Sequence, residues 1–173
     1  GWGWMSMAGV MGALSAKAGF RGGHGILDGK EGFWIMAGSD QCDFKKMTQG
    51  LGREWLILGT DFKLHPSIAW SHPPFVALQK LIEQHAIKAS DVAKVRVWNV
   101  GVTRIADYDP RGAVDAQFSL PYAVATTLLR EPLTPALYAE RKIKSAPVRA
   151  MMKRIECIED PQMDFDWFKR NIM

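Results

Sequence analysis

Apolar and polar residues alternate from Val92 to Val100, VAKVRVWNV, and again from Arg154 to Glu159, RIECIE. A period of two puts one side of the chain on a core and the other in water, so both stretches predict β-strands. Helical spacing replaces it elsewhere. After Pro73 and Pro74, the residues Phe75, Leu78 and Ile82 fall on one face, which predicts a helix running to about Ile87. Met5 to Ala18 mixes Gly, Ala, Ser and Met with Val10 and Leu14 four apart, the composition of a helix packed closely on other helices. Prolines at 132, 135 and 147 punctuate two further helices, at about Ala136 to Ile143 and from Pro147 through Met152. EWLILGT, ending at Thr60, suits a buried strand or a linker, and DFDWFKRNIM reads as a polar and aromatic tail. The order helix, strand, helix, strand, helices, strand predicts an α+β fold.

Between Gly19 and Gly32 the glycines come thickly, at 19, 22, 23, 25, 29 and 32. No strand precedes them and no Gly-Lys-Ser/Thr follows, so turn geometry is expected there and not a phosphate-cradling loop. His24 is read as a surface turn residue. Two other stretches carry candidate chemistry. In DAQFSLPYAVA, from Asp115 to Ala125, Ser119 is placed to cap a helix that has Pro121 and Tyr122 in its first turn and reaches about Arg130. A phenol near a helix N-terminus could donate a proton or a hydrogen bond to a carboxylate. Equally, the same spacing describes an ordinary capped helix whose Tyr packs in a core with its OH on a backbone carbonyl. In DFKLHPSIAWSH, from Asp61 to His72, the residues before Pro66 are held extended, and Lys63, His65 and His72 are the titratable groups.

Charge narrows the functional classes. The chain has 173 residues, 22 basic against 18 acidic, and its net +4 is spread along the sequence. Lys45 with Lys46, and the run from Arg141 to Lys144, read as solvated faces. The seven tryptophans are not interleaved with basic residues at a regular interval, so no nucleic-acid partner is expected. Cys42 and Cys157 lie far apart without metal-ligand spacing and read as unpaired thiols of a reducing compartment, which makes a cytoplasmic location the expectation. No run approaches the roughly 20 apolar residues of a membrane-spanning helix. No His and acid pair has metal spacing, so no metal is expected.

DAQFSLPYAVA resembles a signature of the MmgE/PrpD family, which includes 2-methylcitrate dehydratase, cis-aconitate decarboxylase and iminodisuccinate epimerase. Gly1 to Phe33 resembles the family's helix and glycine-rich turn. Asp61 to His72 resembles its Lys-x-x-Pro segment with a His near the end, and Leu133 to Asp160 resembles its helical hairpin and closing strand. The motifs are collinear and cover nearly the whole chain.

Several expectations follow from that resemblance. Residues 1–52 would be the end of the first segment of an all-helical domain, 53–160 an inserted α+β sandwich or lid domain, and 161–173 a tail leading back to the helical part. The chain would be an internal fragment of a longer protein that is a homodimer. Its reaction would be cofactor-independent proton abstraction beside a carboxylate of a small di- or tricarboxylic acid, a hydro-lyase activity of the 2-methylcitrate dehydratase kind. Epimerase, decarboxylase and non-catalytic binding module are the alternatives. Catalytic roles fall on Lys63, Tyr122 and His72, and substrate-binding roles on Ser119, Ser67 and His65. A buried Lys63 ammonium could also have its pKa lowered enough to move a proton. His65 is also read as structural, and His72 as a possible cap of the helix after it. Ile68 stands where family members often have Cys or His, a departure that removes a polar group. Further catalytic residues are expected upstream of Gly1, so the fragment alone is expected to be inactive.

Overall fold

The computed structural model describes residues 2–38 and 43–172; Cys42 lies outside them. The chain divides into two compact units, Gly1–Thr60 and Asp61–Met173.

The described part of the first unit is helical. Helix α1 spans Trp2–Lys17, α2 Phe33–Met36 and α3 Phe44–Thr48. The expected helix at Met5 to Ala18 is therefore present, but its apolar residues stay exposed: Val10 and Leu14 are each more than half accessible. The glycine-rich stretch makes turns. Gly25 has a φ of +75°, and a side chain at Gly29 would run into the Gly25 carbonyl at 2.5 Å, so the turn closes only without a Cβ. EWLILGT is not a strand. It forms one 3₁₀ turn, Leu56–Gly59, with Leu56 92% exposed, because no strand lies beside it among the described residues.

The second unit is α+β. After a 3₁₀ turn at Ala69–Ser71, α4 spans His72–His85 and buries Phe75 and Ile82, two of the three residues expected on its inner face. Strand β1 covers Val95–Trp98. Helices α5 (Val102–Ile105), α6 (Ala113–Phe118), α7 (Leu120–Leu128), α8 (Glu140–Ile143) and α9 (Ala146–Met152) follow, before β2 at Ile155–Ile158. The two strands pair in parallel, Val95 opposite Ile155 and Trp98 opposite Ile158. A parallel pair requires a crossover, and here α5 to α9 supply it. The polar and aromatic tail is a helix, α10, Pro161–Ile172. Asp160 starts it, its carboxylate accepting the N–H groups of Gln162 at 3.0 Å and Met163 at 3.2 Å, with Pro161 in the first position. Its Asp164 accepts the Gly101 N–H at 2.7 Å. At Gly101, φ is +65° and a Cβ would meet the Trp70 ring at 2.7 Å, so only glycine fits.

Helix α7 is the centre of this unit. All nine of its residues are buried, as expected of a helix that is apolar all round. The two threonines do not violate that rule: Thr126 donates to the Tyr122 carbonyl at 2.9 Å and Thr127 to the Ala123 carbonyl at 2.9 Å. Ser119 is the N-cap, as its sequence position predicts. Its Oγ accepts the Tyr122 N–H at 3.1 Å and donates to the Asp107 carbonyl at 2.5 Å, tying the preceding loop to the helix start. Ser119→Ala removes both bonds at a site 1% exposed and is expected to lower unfolding free energy by about 1–3 kcal/mol, read from urea denaturation.

Candidate functional site

The segment ahead of α4 builds the most chemically equipped hollow of the second unit. Pro66 keeps His65 out of the helical region, and the Ile68 N–H donates to the Gln117 carbonyl at 3.0 Å, which ties the segment to the end of α6. The resulting hollow is about 500 Å³, with Lys63, His65 and Ser67 on one wall and Gln117 and Thr134 among the facing residues. Three of the six predicted site residues therefore share one wall. Ile68 also lines it, so the position that departs from the family pattern presents an apolar surface to the same space.

Lys63 is exposed. The expected buried ammonium is not found, because the chain around it, Phe62 and Leu64 included, is itself open to solvent. Lys63 thus stands as a solvent-exposed cation among the residues that line the hollow. Ser67 is 6% exposed, and its hydroxyl lies 2.8 Å from that of Ser71. Ser71 donates its own proton to the Ile68 carbonyl at 2.7 Å, so Ser67 is the donor of the pair.

Two imidazoles meet behind this wall. The His65 and His72 rings contact edge-on with centroids 5.3 Å apart, and both lie against Phe75, at 5.6 and 6.2 Å. His72 is the first residue of α4 and does not cap it; Ser71 holds the N-cap position, without a side-chain bond. Unlike His65, His72 does not line the hollow. Its Nε2 is buried and has no hydrogen-bond partner among the described residues.

Burial lowers the His72 pKa below the ordinary 6.5, and the neighbouring His65 acts in the same direction; the main chain at Ser67 and His65 opposes both. A native imidazole with a lowered pKa binds fewer protons than the unfolded one, so its stabilising effect is present above about pH 6.5 and is lost as pH falls. Between pH 7 and 5.5 the melting temperature of the wild type is expected to drop more steeply than that of His72→Asn. Parallel slopes would contradict this.

Tyr122 is not brought to the hollow. Its ring is fully buried, tilted against Tyr138 with centroids 6.0 Å apart, and its OH donates to the Leu137 carbonyl at 2.6 Å. Burial, then Tyr138, pushes its pKa up to about 12. The proton a general acid would transfer is held by a main-chain acceptor, which is the core-packing arrangement that the motif's spacing also allowed. Ser119 likewise spends its hydroxyl on the fold. Gln117 lies within DAQFSLPYAVA, though two residues ahead of the Ser119 cap, and Thr134 carries no sequence signal that singles it out; only the fold brings them to the hollow that Lys63 lines.

The run from Arg141 to Lys144 is only partly a solvated face: Lys144 pairs with Glu140 in the open, but Lys142 pairs with Glu131 at 2.6 Å in a part-buried position beside the buried Ile143. Among the described residues no cluster of three or more His, Cys, Asp or Glu could hold a metal ion, and no helix is long and apolar enough to cross a membrane.

No curated protein matches the chain. The model of the MmgE/PrpD C-terminal domain matches residues 65–171, more than half of the chain and nearly all of the second unit, starting two residues after Lys63. The chain belongs to the MmgE/PrpD family, whose members include lyases and related enzymes.

Proposed function

We propose that the second unit carries the carboxylate-binding part of a cofactor-independent lyase of the 2-methylcitrate dehydratase kind, acting on a small di- or tricarboxylic acid. The observation that carries this reading is the wall shared by Lys63 and His65, a fixed cation beside an imidazole, on a hollow of a size suited to such an acid. The Lys63 ammonium would hold a substrate carboxylate, and a neutral imidazole would take the acidic proton on the adjacent carbon. The resulting enolate needs nearby donors, and Thr134 and Gln117 face the same space. The β-hydroxyl then leaves as water, taking back the proton that the imidazole holds, which completes a dehydration; reprotonation of the carbon from the opposite side would give epimerisation from the same intermediate.

The whole enzyme is read as a cytoplasmic homodimer joined through helical parts, which the exposed apolar residues of α1 support. Catalytic groups beyond Lys63 and His65 would come from other parts of the full-length protein, and the 173-residue chain is expected to bind the acid without turning it over. The test is titration of the purified chain with citrate, followed by NMR. Saturable binding that weakens in Lys63→Ala supports the reading, and absence of binding at millimolar citrate overturns it.

A further inference from the structure

A second hollow, about 460 Å³, adjoins the first and shares Leu64, His65 and Leu133 with it. His65 thus forms the ridge between the two. Arg130 lines the second hollow and has an unusual backbone: its φ is +54°, the left-handed region, at the end of α7 where glycine is the common occupant. A non-glycine residue there carries strain, which is a reason to look for a role of the side chain. Two carboxylates share the hollow. Glu131 is bound at both oxygens by Lys142, at 2.7 and 2.6 Å, whereas among the described residues neither Glu83 nor Arg130 forms an ion pair with any group. The guanidinium is therefore left for an outside anion.

We propose that the second hollow is a carboxylate subsite, in which Arg130 takes the remote carboxylate of a di- or tricarboxylic acid whose near carboxylate rests on Lys63, with His65 between them. This rests on the function proposed above and adds to it the residue that reads the second carboxylate, Arg130, at a place in the second hollow. A guanidinium can bind a carboxylate through two parallel N–H bonds, which fixes the acid's orientation across His65. Glu83 repels the same anion and limits its affinity.

The experiment compares citrate with lactate, a hydroxy acid with one carboxylate, by NMR titration of the 173-residue chain and three variants. Arg130→Gly suits the left-handed backbone, so its melting temperature is expected to hold or rise while citrate affinity falls about tenfold and lactate affinity stays unchanged. Glu83→Gln is expected to tighten citrate binding. Lys63→Ala is expected to weaken both acids. Unchanged citrate affinity in Arg130→Gly, or weaker citrate binding in Glu83→Gln, overturns the subsite while leaving the Lys63 reading standing. Unchanged affinities in Lys63→Ala overturn the proposed function itself, and failure of the wild type to bind citrate overturns both.

Discussion

Tyr122→Ala is expected to destabilise the second unit by about 3–5 kcal/mol, a large share of the roughly 5–15 kcal/mol that holds a typical domain together. The side chain lies at the start of a helix with no exposed residue, and it packs on Tyr138 within the cluster that includes Leu137, Val148 and Met152. Removing a ring there leaves a cavity that neighbours on several elements cannot fill together. Urea denaturation would show this as a lower midpoint. Tyr122→Phe isolates the hydroxyl: it leaves the Leu137 carbonyl without its donor and is expected to cost about 1–3 kcal/mol. Its citrate affinity should match the wild type's. A Tyr122→Phe protein of full stability that no longer binds citrate would return the phenol to the ligand site and reverse the assignment made from its burial.

Lys63→Ala is expected to show the opposite pattern. The residue is exposed and forms no ion pair among the described residues, so its removal should change stability by no more than about 0.5 kcal/mol. Citrate affinity should fall about 10- to 100-fold, the range for losing one charge-assisted hydrogen bond, about 1.5–3 kcal/mol. Lys63→Arg should retain part of that affinity, because the charge remains while the geometry changes. Binding that is lost together with the folded baseline would point to a structural lysine instead.

These contrasting patterns show which parts of the chain were readable in advance. The period-two stretches became β1 and β2, and the double proline ahead of Phe75 became the start of α4, because alternation and proline geometry are local properties. The Ser119 cap was also local, a hydroxyl three residues from the N–H it accepts. Asp160 and Pro161, which open α10, carry the same kind of signal, and the residues after them repeat apolar and polar with a helical period, so this helix too was legible locally. EWLILGT, which suits a strand or a linker, is not a strand. An apolar run reports a tendency to be buried, but a strand also needs a partner strand, and no local feature of the sequence supplies one.

At the site, residue types were legible and their company was not. A lysine, two histidines and a tyrosine in two motifs suggested one cluster. Folding placed Lys63 and His65 on a hollow, His72 behind them and Tyr122 in the core. Gln117, Thr134 and Arg130 joined the two hollows from distant parts of the chain.

By itself, then, the sequence determined the strands, the capped helices, the α+β class and the family, all of which depend on short-range backbone chemistry or on collinear motifs. The tertiary structure alone decided which polar groups face solvent-filled space. Exposure depends on what packs on the far side of a residue: the Leu137 carbonyl claims the Tyr122 hydroxyl across 15 positions of chain, and no periodicity encodes that meeting.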